Sequence, residues 1–474
     1  MGLVGRETER RELQRLYDSG RPELAVVYGR RRVGKTFLID QTLGKDGFAF
    51  AASGAVGGSR RFQLQSFDRA LERHGWPRPA SRSWGDAFEA LRGHLASGDR
   101  SRRQVVFLDE FPWFDTRGSD FRASFGLFWN EYASKDPSLM VIVCGSATSW
   151  IIKHLLKDRG ALHNRATARM RIEPLTLGEC EELFRDRGVV LNRYQQLESA
   201  MIFGGVPFYL DLFDPALGLA QNVDRLCFAG NGALRGEYGE LYRSLFAHPE
   251  RHMRVVEALA AKPSGLGRDE LIGAAGLVTG GAASGTLEEL EQCGFISYDA
   301  DFTRPSNGGY YRLVDPFTLF HLRHMAPNPG ADEHFWTNGL DAGARRAWAG
   351  LAFEQVCLAH VPQIKRRLGI AGVSTTATAW RSRRSSPAAQ IDLVLDRRDG
   401  VVDLCELKYT QHPYTLTRQE HDALQRRREA FRTETGTAKA LHWAMVTTYG
   451  LVRNAHASQV QSEVIMDDLF HPAG

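Results

Sequence analysis

The sequence predicts an α/β protein with a parallel sheet in its first third, a helical module in the middle and a second α/β domain in its last third. Apolar runs alternate with amphipathic helical patterns between residues 24 and 146. Three short helical patterns, 252–261, 267–277 and 284–296, are separated by glycine-rich breaks. Within 389–410, two apolar runs meet at a turn, and a basic helix and another apolar run follow.

The composition indicates a globular chain with several domains. Its 474 residues are 43% hydrophobic and 10% aromatic, which is enough to bury substantial cores. No apolar run is long enough to span a membrane, and the N-terminal stretch MGLVGRETERRELQRLYDSG is charged rather than signal-like. We therefore expect a cytoplasmic protein without membrane contact. The six cysteines form no CxxC pair, which predicts reduced thiols and argues against a structural zinc site.

Charge is informative only locally. The net charge of +4 is small for this length. Residues 361–400 carry eight Lys/Arg against three acids, which suits either a phosphate backbone or an ordinary solvated face. Only 9 of the 60 basic residues are lysines, so a lysine inside a motif carries more weight. The eight cations are Lys365, Arg366, Arg367, Arg381, Arg383, Arg384, Arg397 and Arg398.

The run LAVVYGRRRVGKTFLIDQTL (24–43) predicts a buried strand, a tight loop and a helix. The loop fits the pattern GxxxxGK[ST], in which glycines let the backbone wrap a phosphate and helix-start N–H groups donate to it. Lys35 would reach the β and γ phosphates, and Thr36 would ligate Mg²⁺. We predict that the whole loop binds ATP: Gly29, Arg30, Arg31, Arg32, Val33, Gly34, Lys35 and Thr36.

Two later strands complete this predicted site. RQVVFLDEFPWF (103–114) ends its apolar run at Asp109, a second Mg²⁺ ligand, and Glu110 follows as the group that polarises the attacking water. LMVIVCGS (139–146) ends at Ser146, a candidate γ-phosphate sensor. Arg165 or Arg169 is either an arginine finger from a neighbouring subunit or a solvated side chain.

Several segments in order resemble the archaeal-type ATPase family, a relative of the AAA+ and STAND ATPases. The resemblance covers roughly residues 1 to 240 and implies an ASCE-type P-loop NTPase sheet, with a strand inserted between the two Walker strands, and a helical lid. It also implies that Val4 to Glu7 and Gly204 to Pro207 flank the nucleotide. The segments are LVGRETERRELQRL, GRRRVGKT, FLDE, GSATSW, RIEPLTLGE and GGVPFYL.

The middle of the chain predicts a winged helix-turn-helix. Its three helical patterns are followed by YYRLVDPFTLFHLRHM (310–325), a strand that runs into an aromatic helix. In the third helix Leu287 and Leu290 would face the core. Glu288, Glu289 and Glu291 would face outward, which is unfavourable in a major groove. A structural or protein-contact role is therefore favoured over base reading, which remains the alternative.

The hairpin AQIDLVLDRRDGVVDLCELKYT (389–410) carries charges in an apolar setting. Strand alternation places Glu406 and Lys408 on one face, and Asp392 on the neighbouring strand can face them. Two carboxylates and an ammonium suit a divalent metal that acts on a phosphate. Glu354 lies on the stripe of Leu351 and Leu358 at helical spacing. A cross-strand ion pair on a solvated hairpin is the alternative, but it leaves Glu354 unexplained.

This spacing resembles the core of the PD-(D/E)XK nuclease superfamily, a restriction-endonuclease-like α/β fold. The resemblance implies that Glu354, Asp392, Glu406 and Lys408 are catalytic and that Asp392 and Glu406 hold the metal, with Gln390 as an accessory residue. Ile391 stands where the pattern usually has proline. Residues 326–474 as a whole resemble the C-terminal domain fused to many archaeal-type ATPases.

The expected organisation is an ATPase domain with its lid (1–240), a winged-helix domain (241–325), a linker (326–346) and a nuclease-like domain (347–474). We expect an ATPase whose nucleotide state controls a Mg²⁺-dependent cut in DNA or RNA, with possible homo-oligomers on ATP binding. A STAND-like switch whose C-terminal domain binds nucleic acid or a partner without cutting is the first alternative. A regulator that reads DNA through its winged helix is the second.

Overall fold

In a computed structural model the chain forms two compact units. The structure describes residues 2–44, 47–157, 165–302, 308–330, 332–339, 343–382 and 389–472. The first unit comprises Met1–Glu173 with Leu241–Ala247, and the second comprises Pro174–Glu240 with His248–Gly474. The predicted domain boundary after residue 240 differs from this division, because the predicted lid clusters with the C-terminal residues. One reason is that the helix Arg193–Phe203 packs against later helices of the second unit.

The first unit alternates strands and helices, as its sequence predicts. The elements are α1 (Glu7–Tyr17), β1 (Glu23–Tyr28), α2 (Lys35–Leu43), β2 (Phe50–Ser53), α3 (Arg60–Arg73), α4 (Trp84–Ser97), β3 (Gln104–Asp109), α5 (Phe121–Glu131), β4 (Leu139–Gly145), α6 (Thr148–Ile151) and β5 (Ala168–Arg171).

The five strands of the first unit form a parallel sheet in the order β2-β3-β4-β1-β5. Every residue of β4 is buried, as expected for a central strand covered on both faces. β4 lies between β1 and β3, so the predicted insertion of a strand between the two Walker strands is present. The carboxyl ends of β1, β3 and β4 therefore meet at one edge, where parallel α/β sheets bind their ligands.

The second unit begins with helices and continues into a mixed sheet. Its elements are α7 (Leu177–Asp186), α8 (Arg193–Phe203), α9 (Pro207–Leu210), α10 (Leu219–Val223), α11 (Glu237–Leu245, whose end belongs to the first unit), α12 (Pro249–Ala261), α13 (Arg268–Ala274), α14 (Gly281–Gln292), β6 (Ile296–Asp299), β7 (Tyr310–Leu313), α15 (Pro316–Phe320), α16 (Phe335–Asn338), α17 (Gly343–Ala359), α18 (Val361–Arg367), β8 (Thr375–Arg381), β9 (Gln390–Arg397), β10 (Val401–Lys408), α19 (Arg418–Thr435), β11 (Ala440–Thr447) and β12 (Ser462–Ile465).

In the middle of the chain, α12, α13 and α14 are followed by the antiparallel pair β6–β7. The third helical pattern was expected to reach residue 296, but α14 ends at Gln292, and Ile296 begins β6. Gly294 has a φ of 76°, which ends the helix. Leu287 and Leu290 are buried, as predicted. Glu288 and Glu291 are exposed, whereas Glu289 accepts a hydrogen bond from buried His252.

The last sheet has the order β12-β11-β10-β9-β8. Within it β9 is antiparallel to both of its neighbours, whereas β10, β11 and β12 are parallel to one another. The predicted hairpin is thus the centre of a mixed sheet. α19 packs over one face through Leu424 and Phe431, which join the core with strand residues such as Leu404.

The predicted linker 326–346 contains ordered structure. α16 lies inside it, and Trp336 is buried. Asp224 accepts hydrogen bonds from the backbone N–H groups of Trp336 and Thr337. None of the helices in the described part of the chain has the length and apolar character needed to cross a bilayer.

Candidate functional site

The loop between β1 and α2 is shaped by two glycines for different reasons. A Cβ on Gly29 would lie 2.2 Å from the carbonyl oxygen of Ile172, so only glycine fits there. Gly34 has a φ of 86° at the start of α2, a left-handed conformation that glycine adopts without steric cost. Arg32 is also left-handed, with a φ of 71°. The loop thus holds a tight conformation just before a helix N-terminus, where anions bind.

Lys35 lies at the centre of this loop and is 5% exposed. Its ammonium donates to the carbonyls of Gly29 at 3.0 Å and Arg30 at 2.9 Å, and to Ser146 Oγ at 3.1 Å. A buried ammonium needs such acceptors, since an unsatisfied charge in the interior is costly. The structure therefore brings the predicted phosphate-binding lysine and the predicted sensor together.

Ser146 also contacts Glu110, so three predicted residues form one chain of hydrogen bonds. Ser146 Oγ donates to Glu110 Oε1 at 2.8 Å, in addition to accepting from Lys35. Glu110 has a φ of 44° and a ψ of 42°, a left-handed conformation that costs a non-glycine residue about 1–2 kcal/mol. Such strain is characteristic of functional sites. Glu110 is therefore held at the end of β3, facing the P-loop lysine through one hydroxyl.

The two predicted Mg²⁺ ligands are in direct contact, because Thr36 Oγ1 donates to Asp109 Oδ2 at 2.9 Å. A hydroxyl and a carboxylate are the oxygen donors that Mg²⁺ takes, so the residues fit this ion. Asp40, one turn after Thr36, was missed by the sequence analysis. Burial, and then the charge of Asp109, raises the pKa of Asp40. Its position four residues after Thr36 was the available signal.

Arg6 ties the N-terminal segment to this site. It has a φ of 61°, and its guanidinium donates to the carbonyl of Val33 at 3.2 Å and to that of Glu173 at 2.6 Å. The resemblance predicted that Val4 to Glu7 lie near the nucleotide, and Arg6 contacts the P-loop. Arg165 and Arg169 are exposed. Gly204 to Pro207 belong to the second unit.

The second candidate site lies where β9, β10 and α17 meet. Strand register pairs Cys405 with Leu393, and Asp392 Oδ2 accepts a hydrogen bond from the backbone N–H of Leu407 at 3.1 Å. Asp392 therefore lies beside Glu406, as the hairpin predicted. Glu406 is 4% exposed, and its Oε1 lies 2.7 Å from the ammonium of Lys408.

Electrostatics bring Glu354 into the same group. Burial, and then the charge of Asp392, raises the pKa of Glu354 to about 8. Burial, and then Glu406, raises the pKa of Asp392 to about 6. Burial alone would lower the pKa of Lys408, but the ion pair with Glu406 offsets this, and the net shift is upward. Glu354 and Asp392 thus lack full charge compensation, and carboxylate oxygens of this kind are the ligands that a hard divalent cation takes.

Arg427 of α19 is a fifth charged member of this group, and the sequence analysis missed it. Its Nη1 lies 2.6 Å from Glu406 Oε2, so Lys408 and Arg427 hold the two oxygens of one carboxylate. The signal was present, because Arg427 falls between Leu424 and Phe431 on the apolar stripe of α19. Among the residues that the structure describes, no three or more His, Cys, Asp or Glu side chains are grouped as metal ligands.

Most of the basic stretch 361–400 is engaged by the chain itself. Arg367 pairs with Asp468, and Arg397 pairs with Asp399 and Asp403. Lys365 donates to the carbonyl of Val373. Arg383 and Arg384 lie outside the described residues. Internal pairing leaves less of this charge for a phosphate backbone than the sequence suggests.

Comparisons with known proteins agree with the first site. Residues 3–210 match the model of an ATPase domain found predominantly in Archaea. The uncharacterized protein MJECL04 of Methanocaldococcus jannaschii is 25% identical over 359 residues, which are 75% of this chain and 76% of that protein.

Among solved structures, the Walker-type ATPase PABY2304 of Pyrococcus abyssi matches with a TM-score of 0.50 and 19% identity, over 68% of this chain and 96% of that one. The ORC2 protein of Aeropyrum pernix matches with a TM-score of 0.43 and 16% identity, over 76% and 96% of the two chains. The sheet order and the P-loop geometry are those of a P-loop ATPase, and residues 3–210 are similar to the ATPase domain found predominantly in Archaea.

Proposed function

We propose that this protein couples ATP hydrolysis to a Mg²⁺-dependent cut in DNA or RNA made by its C-terminal domain. The observation that carries the proposal is the adjacency of Asp392, Glu406 and Lys408 on β9 and β10, together with the upward effect of the Asp392 charge on the pKa of Glu354 in α17. A cross-strand ion pair alone would account for Glu406 and Lys408. It would not account for a carboxylate of α17 whose pKa the charge of Asp392 raises.

In the ATPase domain each predicted residue has a role that its contacts support. The P-loop backbone and Lys35 would bind the phosphates, and Thr36 and Asp109 would hold Mg²⁺, which neutralises developing charge on the phosphates. Glu110 would orient the attacking water. Ser146 already bridges Lys35 and Glu110, so it is suited to respond to a γ-phosphate between them.

In the C-terminal domain Asp392 and Glu406 would hold the metal, which supplies a Lewis acid and lowers the pKa of bound water. Lys408 would stabilise negative charge on the scissile phosphate, and Glu354 would share the metal or its water shell. The order of the elements supports the PD-(D/E)XK assignment: α17 and α18 are followed by the antiparallel β8–β9–β10, then by α19 and by β11 parallel to β10. Gln390 begins β9 and would play an accessory role.

One observation favours a second candidate, a signalling ATPase whose C-terminal domain binds without cutting. Glu406 is held by two cations, Lys408 and Arg427, which reduces its need for a metal. In that case the pocket is a closed ion-pair network, and the chain acts as a STAND-like switch.

The remaining assignments belong to the same proposal. α12 to α14 with the β6–β7 pair would form a winged helix that makes structural or protein contacts, since Glu288 and Glu291 are exposed on its third helix. We retain the domain limits 1–240, 241–325 and 347–474 as functional units. ATP-dependent homo-oligomers would use exposed Arg165 as the arginine finger, and the protein would work in the cytoplasm.

Degradation assays test the central proposal. Purified protein is incubated with labelled single- and double-stranded DNA and RNA, with Mg²⁺ or Mn²⁺, in the presence and absence of ATP. We expect metal-dependent cutting that Asp392→Ala and Lys408→Ala each abolish, while the exposed control Lys135→Ala cuts normally. Wild-type protein that hydrolyses ATP but cuts none of these substrates would support the signalling candidate instead.

A further inference from the structure

An open cleft in the second unit is lined by the segment of chain that follows β10. Its volume is about 430 Å³, within the range of small-ligand sites. One wall of the cleft is formed by the segment that follows β10, and this segment begins at Tyr409, the residue after Lys408. α8 and the start of α17 form the rest. The side chains that matter are Tyr194, Arg345, Arg346, Tyr409 and Tyr414.

Packing joins the cleft to the charged pocket. Tyr409 packs against Phe353, the neighbour of Glu354 on α17, with ring centroids 5.7 Å apart. The Tyr414 hydroxyl donates to Glu420 of α19, the helix that also carries Arg427. Residues of the cleft thus contact α17 and α19, the two helices that carry Glu354 and Arg427.

The aromatic side chains form a fixed stack. Tyr194 stacks on Tyr409 with centroids 5.6 Å apart and planes 19° apart, and on Tyr449 at 5.8 Å and 16°. Tyr449 remains 41% exposed. Because the rings are already parallel and Tyr449 leaves one end of the stack exposed, a planar base can extend the stack at Tyr449 at little cost in side-chain entropy. Such aromatic platforms are typical of proteins that bind single-stranded nucleic acid.

The charged side chains of the cleft suit phosphate groups. Arg345 lies 3.9 Å over the ring of Trp336 and pairs with Glu198 at 3.3 Å, which fixes its guanidinium. Arg346 is exposed on the same wall. Glu198 is the only carboxylate lining the described part of the cleft, and Arg345 already offsets it. The net charge of the lining is therefore positive, which favours a polyanion.

We propose that this cleft binds the unpaired nucleotides of a single strand and leads the adjoining phosphate to Lys408. A duplex is excluded, because its base faces are already covered by stacking and a tyrosine can stack only on an unpaired base. Delivery to a cutting site rests on the proposed nuclease function, whereas the binding site itself does not.

Fluorescence anisotropy of the full-length protein without divalent metal or ATP tests the cleft. The probes are a labelled oligothymidylate of about 20 nucleotides and a duplex of equal length. We expect the single strand to bind at least about tenfold more tightly. Tyr194→Leu should weaken this binding about tenfold, and Tyr194→Phe should not, because it keeps the ring. Arg346→Gln should weaken binding of the single strand and reduce the dependence of its affinity on salt concentration. Arg102 is exposed in the first unit, so Arg102→Gln should change neither the affinity nor its salt dependence.

Three other outcomes would contradict the proposal that the cleft binds a single strand. Equal or tighter binding of the duplex removes the single strand as its ligand. Normal binding by both Tyr194→Leu and Arg346→Gln removes the cleft as the site, and because Arg346 is exposed this result does not depend on a core substitution. Thymidine monophosphate that competes as well as the oligonucleotide assigns the cleft to a free nucleotide.

The two proposals fail separately. If the protein binds the single strand tightly but does not cut it in Mg²⁺, the binding site in the cleft is supported and the nuclease function is rejected. If the protein cuts and neither Tyr194→Leu nor Arg346→Gln changes the cutting, the nuclease function is supported and the binding site in the cleft is rejected.

Discussion

Lys35 shows why one residue can decide nucleotide binding. Its ammonium is buried and satisfied by two carbonyls and a hydroxyl, so it is positioned before any ligand arrives. A hydrogen bond to a charged group contributes about 1.5–3 kcal/mol, so Lys35→Ala should weaken ATP binding by about 10- to 150-fold. Calorimetric titration measures this. The exposed Lys135→Ala is the matched control, and unchanged affinity in Lys35→Ala would remove the P-loop assignment.

Glu110 is predicted to affect turnover rather than binding. Gln keeps the shape and can still contact Ser146, but it lacks the carboxylate that polarises water. We therefore expect Glu110→Gln to bind ATP normally and to lower kcat by about 10²–10⁴-fold. Steady-state phosphate release and nucleotide titration together give both values. Glu131→Gln, exposed at the end of α5, should behave as wild type, and a Glu110→Gln variant with full kcat would exclude Glu110 from catalysis.

Glu354 links the C-terminal pocket to pH. Its pKa is raised to about 8 by burial and Asp392, above its ordinary value near 4.5. The unfolded chain loses this proton first, so the metal-free protein loses stability as pH rises from about 4.5 to about 8. Each pKa unit corresponds to about 1.4 kcal/mol of unfolding free energy, and solvent screening reduces the total below the full shift. We therefore expect Glu354→Gln to raise the unfolding free energy by about 2 kcal/mol at alkaline pH.

Chemical denaturation at about pH 5 and about pH 8.5 measures this effect. The gain from Glu354→Gln should be small at the lower pH and large at the higher pH. Exposed Glu429→Gln provides the control for removing a charge. A gain that is equal at both pH values would show that Glu354 ionises normally.

At the scale of elements, α19 positions Arg427 against Glu406 and depends on its N-cap. Thr417 Oγ1 accepts from the backbone N–H of Glu420, and the Glu420 carboxylate accepts from the N–H of Thr417. Loss of such a cap costs about 1 kcal/mol, so Thr417→Ala should destabilise the C-terminal sheet by that amount. Denaturation against exposed Thr415→Ala measures it. No difference between the two variants would mean that the capping box is not stabilising.

Elements with strong periodicity were predictable, and pairings between distant segments were not. Continuous apolar runs predicted β1, β3 and β4, because central parallel strands are buried on both faces. β6 was hidden in a helical pattern, because its four residues are too few to establish a period. Arg427 was missed because α19 contains many arginines. Only the packing register of α19 over β10 determines which of them contacts Glu406.

At the scale of the molecule, the first unit is discontinuous. Leu241 and Tyr242 are 1% and 0% exposed, and they belong to a segment that clusters with residues before 174. Burying one such side chain is worth about 1.5–3 kcal/mol. A fragment that ends at residue 240 should therefore melt at a lower temperature than one that ends at residue 247.

Differential scanning calorimetry of the two fragments, with and without ATP, tests this. A third fragment that ends at residue 247 and carries Leu241→Ser and Tyr242→Ser should melt like the shorter one. Equal melting temperatures for all three fragments would support a domain boundary after residue 240, as the sequence predicted. The sequence could not reveal the division, because residues 174–240 show helical periodicity but not which core they join.

The boundary at Glu173 also has a consequence for recombination. The matched ATPase domain extends to residue 210, yet residues 174–210 cluster with the C-terminal residues. A chimera joined at residue 210 would separate α7 and α8 from the helices against which they pack. A crossover between 173 and 174 would leave that core whole and would exchange residues 241–247 of the first unit along with it. Exchange of C-terminal modules among such proteins should therefore transfer the predicted lid together with the module.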